Sequence, residues 1–223
     1  MKILLFGATG MIGQGVLRES LLDPEVESVL CVGRAATGQT HDKLREIVHA
    51  DLFDLGPIAA ELEGCDACLF CLGVSSAGMR EADYRRVTYD LTLSVARTLA
   101  ERSPGMTFLY ISGAGTDSSE KGGSMWARVK GETENALLKL PFRAAYMLRP
   151  GYIQPLHGIT SKTTLYRVLY AGIGPLYPVL KALAPNLVTT TEGLGRAMLL
   201  VARKGAPKKV LEVRDLNEVL ERG

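Results

Sequence analysis

The run Gly7-Ala8-Thr9-Gly10-Met11-Ile12-Gly13 sets three glycines at a spacing that lets backbone wrap a pyrophosphate. The first glycine permits a tight turn, the second a close approach of the ligand, and the third close packing of a following helix on the preceding strand. A helix opening there turns its free N–H groups and the positive end of its dipole toward the phosphates. A glycine turn without a ligand is the competing reading. It is weakened because Lys2 to Phe6 reads as a strand and Ile12 to Leu22 as a helix, the context this motif requires.

A second signal stands after the next predicted strand. Sites selective for NAD place an acidic residue there on the ribose 2′-hydroxyl, whereas this chain has Val32-Gly33-Arg34. A guanidinium without a neighbouring carboxylate suits a 2′-phosphate, so Arg34 favours NADP(H) over NAD(H), unless it is an ordinary solvated residue. Asp51-Leu52 falls where the adenine edge is met, although Asp51 could equally cap a turn. Leu72-Gly73-Val74-Ser75 falls where the nicotinamide ribose is expected, since ligands lie outside the carboxyl ends of parallel strands.

Cys65, Cys68 and Cys71 invite a metal reading. The only further cysteine is Cys31, the three histidines are scattered, and Cys68 and Cys71 would point to opposite faces of one strand. Small buried hydrophobes are the better account, and no metal is expected.

These residues need a scaffold that alternates strand and helix. Strands are predicted at Lys2 to Phe6, Ser28 to Val32, Glu46 to Ala50, Ala67 to Leu72, Thr107 to Ser112 and Ala144 to Leu148, with another near Val210 to Val213. Helical spacing marks Ile12 to Leu22, Glu81 to Glu101, Ser124 to Leu140 and Glu192 to Arg203. This alternation predicts an α/β fold, a Rossmann-type doubly wound parallel sheet. Residues 1–223 read as a single nucleotide-binding domain. A Tyr-, Leu- and Pro-rich stretch at about 151–191, including Leu165 to Tyr170 and Gly174 to Leu180, reads as a small cap over the substrate rather than as sheet.

Twenty-six basic and 24 acidic side chains are interspersed, giving a net charge of +2, so nucleic acid is not an expected partner. The apolar stretch at the start is too short for a signal peptide or a span. A cytoplasmic location with reduced thiols, no membrane contact, a small-molecule substrate and self-association as a homodimer are the resulting expectations.

Taken in order, Gly7 to Gly13, Gly33-Arg34, Asp51-Leu52, Cys71-Leu72-Gly73, Lys130-Gly131-Glu132 and Leu148-Arg149-Pro150-Gly151 resemble the atypical branch of the short-chain dehydrogenase/reductase superfamily. The likeness is to its NAD(P)-binding, epimerase-like members, including the Tat-interacting-protein type of oxidoreductase. The resemblance implies a Tyr-x3-Lys pair for proton transfer, with the lysine also holding the ribose. Here the segment is Trp126-Ala127-Arg128-Val129-Lys130. The lysine matches, but an indole N–H cannot exchange a proton usefully. The resemblance also implies a serine after the fifth strand, matched by Ser112 or, with a one-residue shift, by Gly113. An asparagine expected on the preceding helix is replaced by Thr88.

Ser112 and Lys130 are thus the candidate catalytic residues, with Lys130 also a cofactor contact unless it is a surface lysine. Tyr152 is a candidate substitute phenol, with packing as its alternative role. Two functions follow: an oxidoreductase or epimerase-like enzyme on a small organic substrate, or an NADP(H)-sensing or interaction module that has lost turnover.

Overall fold

The computed structural model describes residues 1–160 and 177–223. In chain order its elements are β1 (Lys2–Phe6), α1 (Met11–Leu22), β2 (Ser28–Gly33), β3 (Leu44–Val48), β4 (Ala67–Phe70), α2 (Glu81–Arg85), α3 (Leu91–Arg102), β5 (Thr107–Ile111), α4 (Met125–Leu137) and β6 (Ala144–Arg149). They continue with β7 (Tyr152–Gln154), α5 (Tyr177–Leu183), β8 (Val188–Thr190), α6 (Thr191–Lys204), β9 (Val210–Glu212) and α7 (Val213–Arg222).

Seven strands form one parallel sheet in the order β3-β2-β1-β4-β5-β6-β9. The order reverses at β1, so the crevice between the ends of β1 and β4 is a topological switch point, the usual ligand position in such sheets. Central strands such as Ala67–Phe70 and Thr107–Ile111 are buried at every residue, which explains their unbroken apolar runs. Strand alternation divides the core in two. Ile3, Leu5, Cys31 and Leu109 pack against Val16 and Leu17 of α1 and Leu194, Met198 and Val201 of α6. Leu4, Phe6, Cys68, Phe70 and Phe108 pack on the other side with Leu93, Ala96 and Leu99 of α3.

The predicted Rossmann sheet is therefore present, with local differences. β3 runs Leu44–Val48, two residues earlier than Glu46 to Ala50, because its register pairs Val29 with Leu44 and Gly33 with Val48. The single helix predicted over Glu81 to Glu101 is interrupted by a π turn at Arg86–Asp90. The sequence reading supplied no final helix, whereas Val213–Arg222 is helical, opened by a reciprocal cap between Glu212 and Asp215. The stretch read as a cap without sheet contains β7 and β8, which pair in parallel as a separate two-stranded sheet. Its Leu165 to Tyr170 segment and Gly174 to Leu176 lie outside the described residues.

Cys68 belongs to one core layer and Cys71 packs against the other, as the strand reading required. All four cysteines are free. Burial pushes the Cys31 thiol up to about 12 and raises Cys65, Cys68 and Cys71 as well, so these thiols are poor nucleophiles.

Candidate functional site

The turn between β1 and α1 is built from backbone. Gly7 has φ +85°, and a Cβ there would lie 2.7 Å from the Leu72 nitrogen. A Cβ on Gly13 would lie 2.0 Å from the Gly7 carbonyl oxygen, so α1 presses directly on the turn. The Gly10 N–H donates to the Gly7 carbonyl at 2.9 Å, and the Gln14 N–H donates to the Gly10 carbonyl at 2.8 Å. Gly10 is the N-cap of α1, with no side-chain cap and no acidic residue in the first turn. The amides of Met11, Ile12 and Gly13 are consequently left without intrahelical partners. A helix end neither capped nor plugged, beneath a cradle that a side chain would fill, fits a diphosphate.

A cavity of about 340 Å³ extends from this turn across β2. Gly7, Ala8 and Thr9 line one end and Gly33 to Thr37 the other, with Leu52 and Leu72 among its apolar walls. Arg34 lines it as the sole cation among the described residues, exposed, with no hydrogen bond or ion pair among them. Asp51 lies off this lining. Its carboxylate accepts the Phe53 N–H at 2.9 Å and its carbonyl the Asp54 N–H at 3.3 Å, so it makes a turn that seats buried Leu52. Gly73 and Val74 are exposed just past β4.

The candidate catalytic groups meet beyond the ends of β5 and β6. Lys130 Nζ donates to the Ile111 carbonyl at 3.3 Å and stands 5.4 Å from the centre of the Tyr110 ring. Burial lowers its pKa to about 8, against the raising effect of Glu134 one turn further along α4. Trp126 packs its indole against the loop after β5, with ring atoms 3.5 and 4.0 Å from where Cβ atoms on Gly115 and Gly113 would stand.

Ser112 directly follows β5. It is buried, and its hydroxyl lies within hydrogen-bond distance of Glu134 Oε1 and, at 3.1 Å, of the Leu148 carbonyl. The resemblance implies a role for Ser112 on substrate; in the structure its hydroxyl takes part in an internal network. Arg149 donates to both oxygens of the same Glu134 carboxylate, and also to Glu212 at 3.1 Å and to Ser118. Sequence reasoning missed Glu134 as a site residue. Its position four after Lys130 on α4 was the available signal. Tyr152 is half-buried and donates its hydroxyl to Gln154 Oε1 at 2.8 Å, within its own strand.

With this geometry, the sequence model described as the NAD dependent epimerase/dehydratase family matches residues 3–123, more than half of the chain. The chain belongs to that family. The matched span holds the glycine turn, Arg34 and Ser112 and ends before Trp126 and Lys130. The epimerase/dehydratase assignment agrees with the short-chain dehydrogenase/reductase resemblance.

Among curated relatives, "Protein fmp52-2, mitochondrial" of Aspergillus terreus is 25% identical over 225 residues, spanning 98% of this chain and 95% of its own. "Protein fmp52, mitochondrial" of Emericella nidulans is 30% identical over 160 residues, spanning 68% and 66%. These names overturn the cytoplasmic location expected from the sequence, because the relatives are called mitochondrial. The short apolar start on which that expectation rested carries no information against an organellar address.

A similar solved structure is the Bordetella bronchiseptica enzyme WbmF in complex with NAD+ and UDP, with TM-score 0.69, 15% identity, and coverage of 99% of this chain and 76% of that one. At that identity the likeness is one of fold. No helix among the described residues is long and apolar enough to cross a membrane.

Proposed function

We propose that this family member binds NADP(H) along the cavity from Gly7 to Arg34 and acts as an oxidoreductase or epimerase-like enzyme on a small organic substrate. The observation that carries the reading is the uncapped start of α1 directly after Gly7–Thr9, which line one end of a cavity whose other end holds Arg34, a guanidinium with no partner among the described residues. Met11, Ile12 and Gly13 would give their amides to the diphosphate, and Arg34 would hold a 2′-phosphate. Leu52 and Leu72 supply apolar walls, and Asp51 acts through the turn it makes.

The nicotinamide ring, when bound, supplies hydride exchange; the protein must supply position and protons. Lys130 would hold the ribose hydroxyls with its ammonium, the charged form below about pH 8. Glu134 and Arg149 fix α4 against the ends of β5 and β6 and so fix Lys130. Ser112 contributes by anchoring that network instead of by touching substrate. Proton transfer falls to Lys130 or water, since Trp126 has no exchangeable proton of suitable pKa.

Trp126 also favours a second reading, a module that binds the dinucleotide without turnover. Calorimetric titration with NADPH, NADH and their oxidised forms tests the binding, and NADPH oxidation across a panel of carbonyl substrates separates the two readings. Micromolar NADPH binding with turnover supports the enzyme. Binding without turnover supports the sensor, and absence of binding by all four nucleotides sinks both.

A further inference from the structure

The end of β2 lacks the carboxylate that usually meets the adenosine ribose, but the cavity does not lack one. Glu46 of β3 lines the same space as Arg34 and is its sole carboxylate among the described residues. Register pairs Glu46 with Cys31 of β2, so both project to the α1 side of the sheet, where the β2–β3 loop folds back. There Glu46 Oε1 accepts the Thr37 N–H at 2.7 Å, pinning the loop that carries Arg34. Its Oε2 has no partner among the described residues. No ion pair joins Glu46 to Arg34, so among the described residues the cavity presents one cation without a partner and one half-engaged anion.

We propose that Glu46 is a specificity-determining residue: its carboxylate supplies, from the neighbouring strand, the acceptor for the ribose hydroxyls that the end of β2 lacks. Arg34 attracts a 2′-phosphate, while Glu46 binds the unphosphorylated ribose and repels the phosphate. The two together let the site take both NAD(H) and NADP(H) instead of excluding one. The inference rests on reading this cavity as the adenosine end of a dinucleotide site.

The test is calorimetric titration of wild type, Glu46→Gln and Arg34→Ala with NADPH and with NADH at fixed ionic strength. Glutamine keeps an oxygen for the Thr37 N–H, so the loop stays pinned and only the charge is lost. Glu46→Gln is expected to weaken NADH about tenfold, the scale of a charge-assisted hydrogen bond, while NADPH binds equally or more tightly. Arg34→Ala is expected to weaken NADPH by a similar factor and leave NADH unchanged. An unchanged NADPH/NADH affinity ratio in Glu46→Gln overturns the assignment of Glu46 while leaving the cavity reading intact. Failure of wild type to bind either nucleotide overturns the cavity reading and, with it, the assignment.

Discussion

The Glu134 carboxylate, fully buried on α4, takes hydrogen bonds from both Nε and Nη2 of Arg149 at the end of β6. This forked contact joins the helix that carries Lys130 to the end of β6, and Ser112 and Ser118 fasten the intervening loop to the same pair. The pair raises the Arg149 pKa above its ordinary value, chiefly through its hydrogen bonds with Glu134. A planar guanidinium meeting a carboxylate with two parallel bonds holds orientation as well as charge.

Removing one partner should therefore cost more than the pair contributes. Glu134→Ala leaves a nearly buried guanidinium with only the half-exposed Glu212 carboxylate to offset its charge, and a loss of about 3 kcal/mol in urea unfolding is expected. Loss below about 1 kcal/mol would show that solvent reaches the pair freely.

Gly13→Ala places a methyl carbon where the Gly7 carbonyl stands, 2.0 Å away by the wild-type backbone. The turn must move, and NADPH affinity is expected to fall by more than about tenfold, since phosphate contacts depend on amide placement. Calorimetry reads the affinity. Circular dichroism reports whether the variant is folded.

Lys130 should be a site residue that lowers stability. Burial holds its folded pKa at about 8, below the ordinary 10.5. Between those values the unfolded chain keeps a proton that the folded protein has released, so stability rises as pH increases through this window. Below about 8 the penalty of the buried charge is fully present. Lys130→Met is expected to be more stable than wild type at pH 7, by on the order of 2 kcal/mol, with the difference shrinking toward pH 10. The same variant should bind NADPH more weakly. Denaturant melts at the two pH values, with a titration at pH 7, check both parts.

Trp126→Tyr restores a phenol four residues before Lys130. If the enzyme reading holds, NADPH oxidation with reactive carbonyls should rise by about a hundredfold, the low end of general acid catalysis. An unchanged rate with intact NADPH binding would place the proton donor elsewhere.

Much of this arrangement was legible in the sequence because its causes are local. A strand, a three-glycine turn and a helix can be read from neighbouring residues, and so could Arg34 at the end of β2. What could not be read depends on contacts across the chain. The partners of Ser112, Glu134 and Leu148, lie 22 and 36 residues away. Glu46 gained meaning only from the loop that folds back so that Thr37 meets it. The pairing of β7 with β8 joins residues on either side of the stretch read as cap, and neither three-residue strand carries enough periodicity to announce itself.

Helices α1 and α6 meet glycine to glycine. A Cβ on Gly15 would strike Thr191 at 2.8 Å, and one on Gly195 would reach the Gly15 carbonyl at 3.1 Å. Thr191 follows β8 directly and its hydroxyl accepts the Leu156 N–H just past β7, so the small sheet is fastened to the start of α6, where Thr191 meets Gly15 of α1. At these two glycines the backbones come close enough that neither helix can shift toward the other without displacing Thr191 or Glu19. A displacement of the β7–β8 pair would therefore be expected to reach α1 and the glycine turn ahead of it.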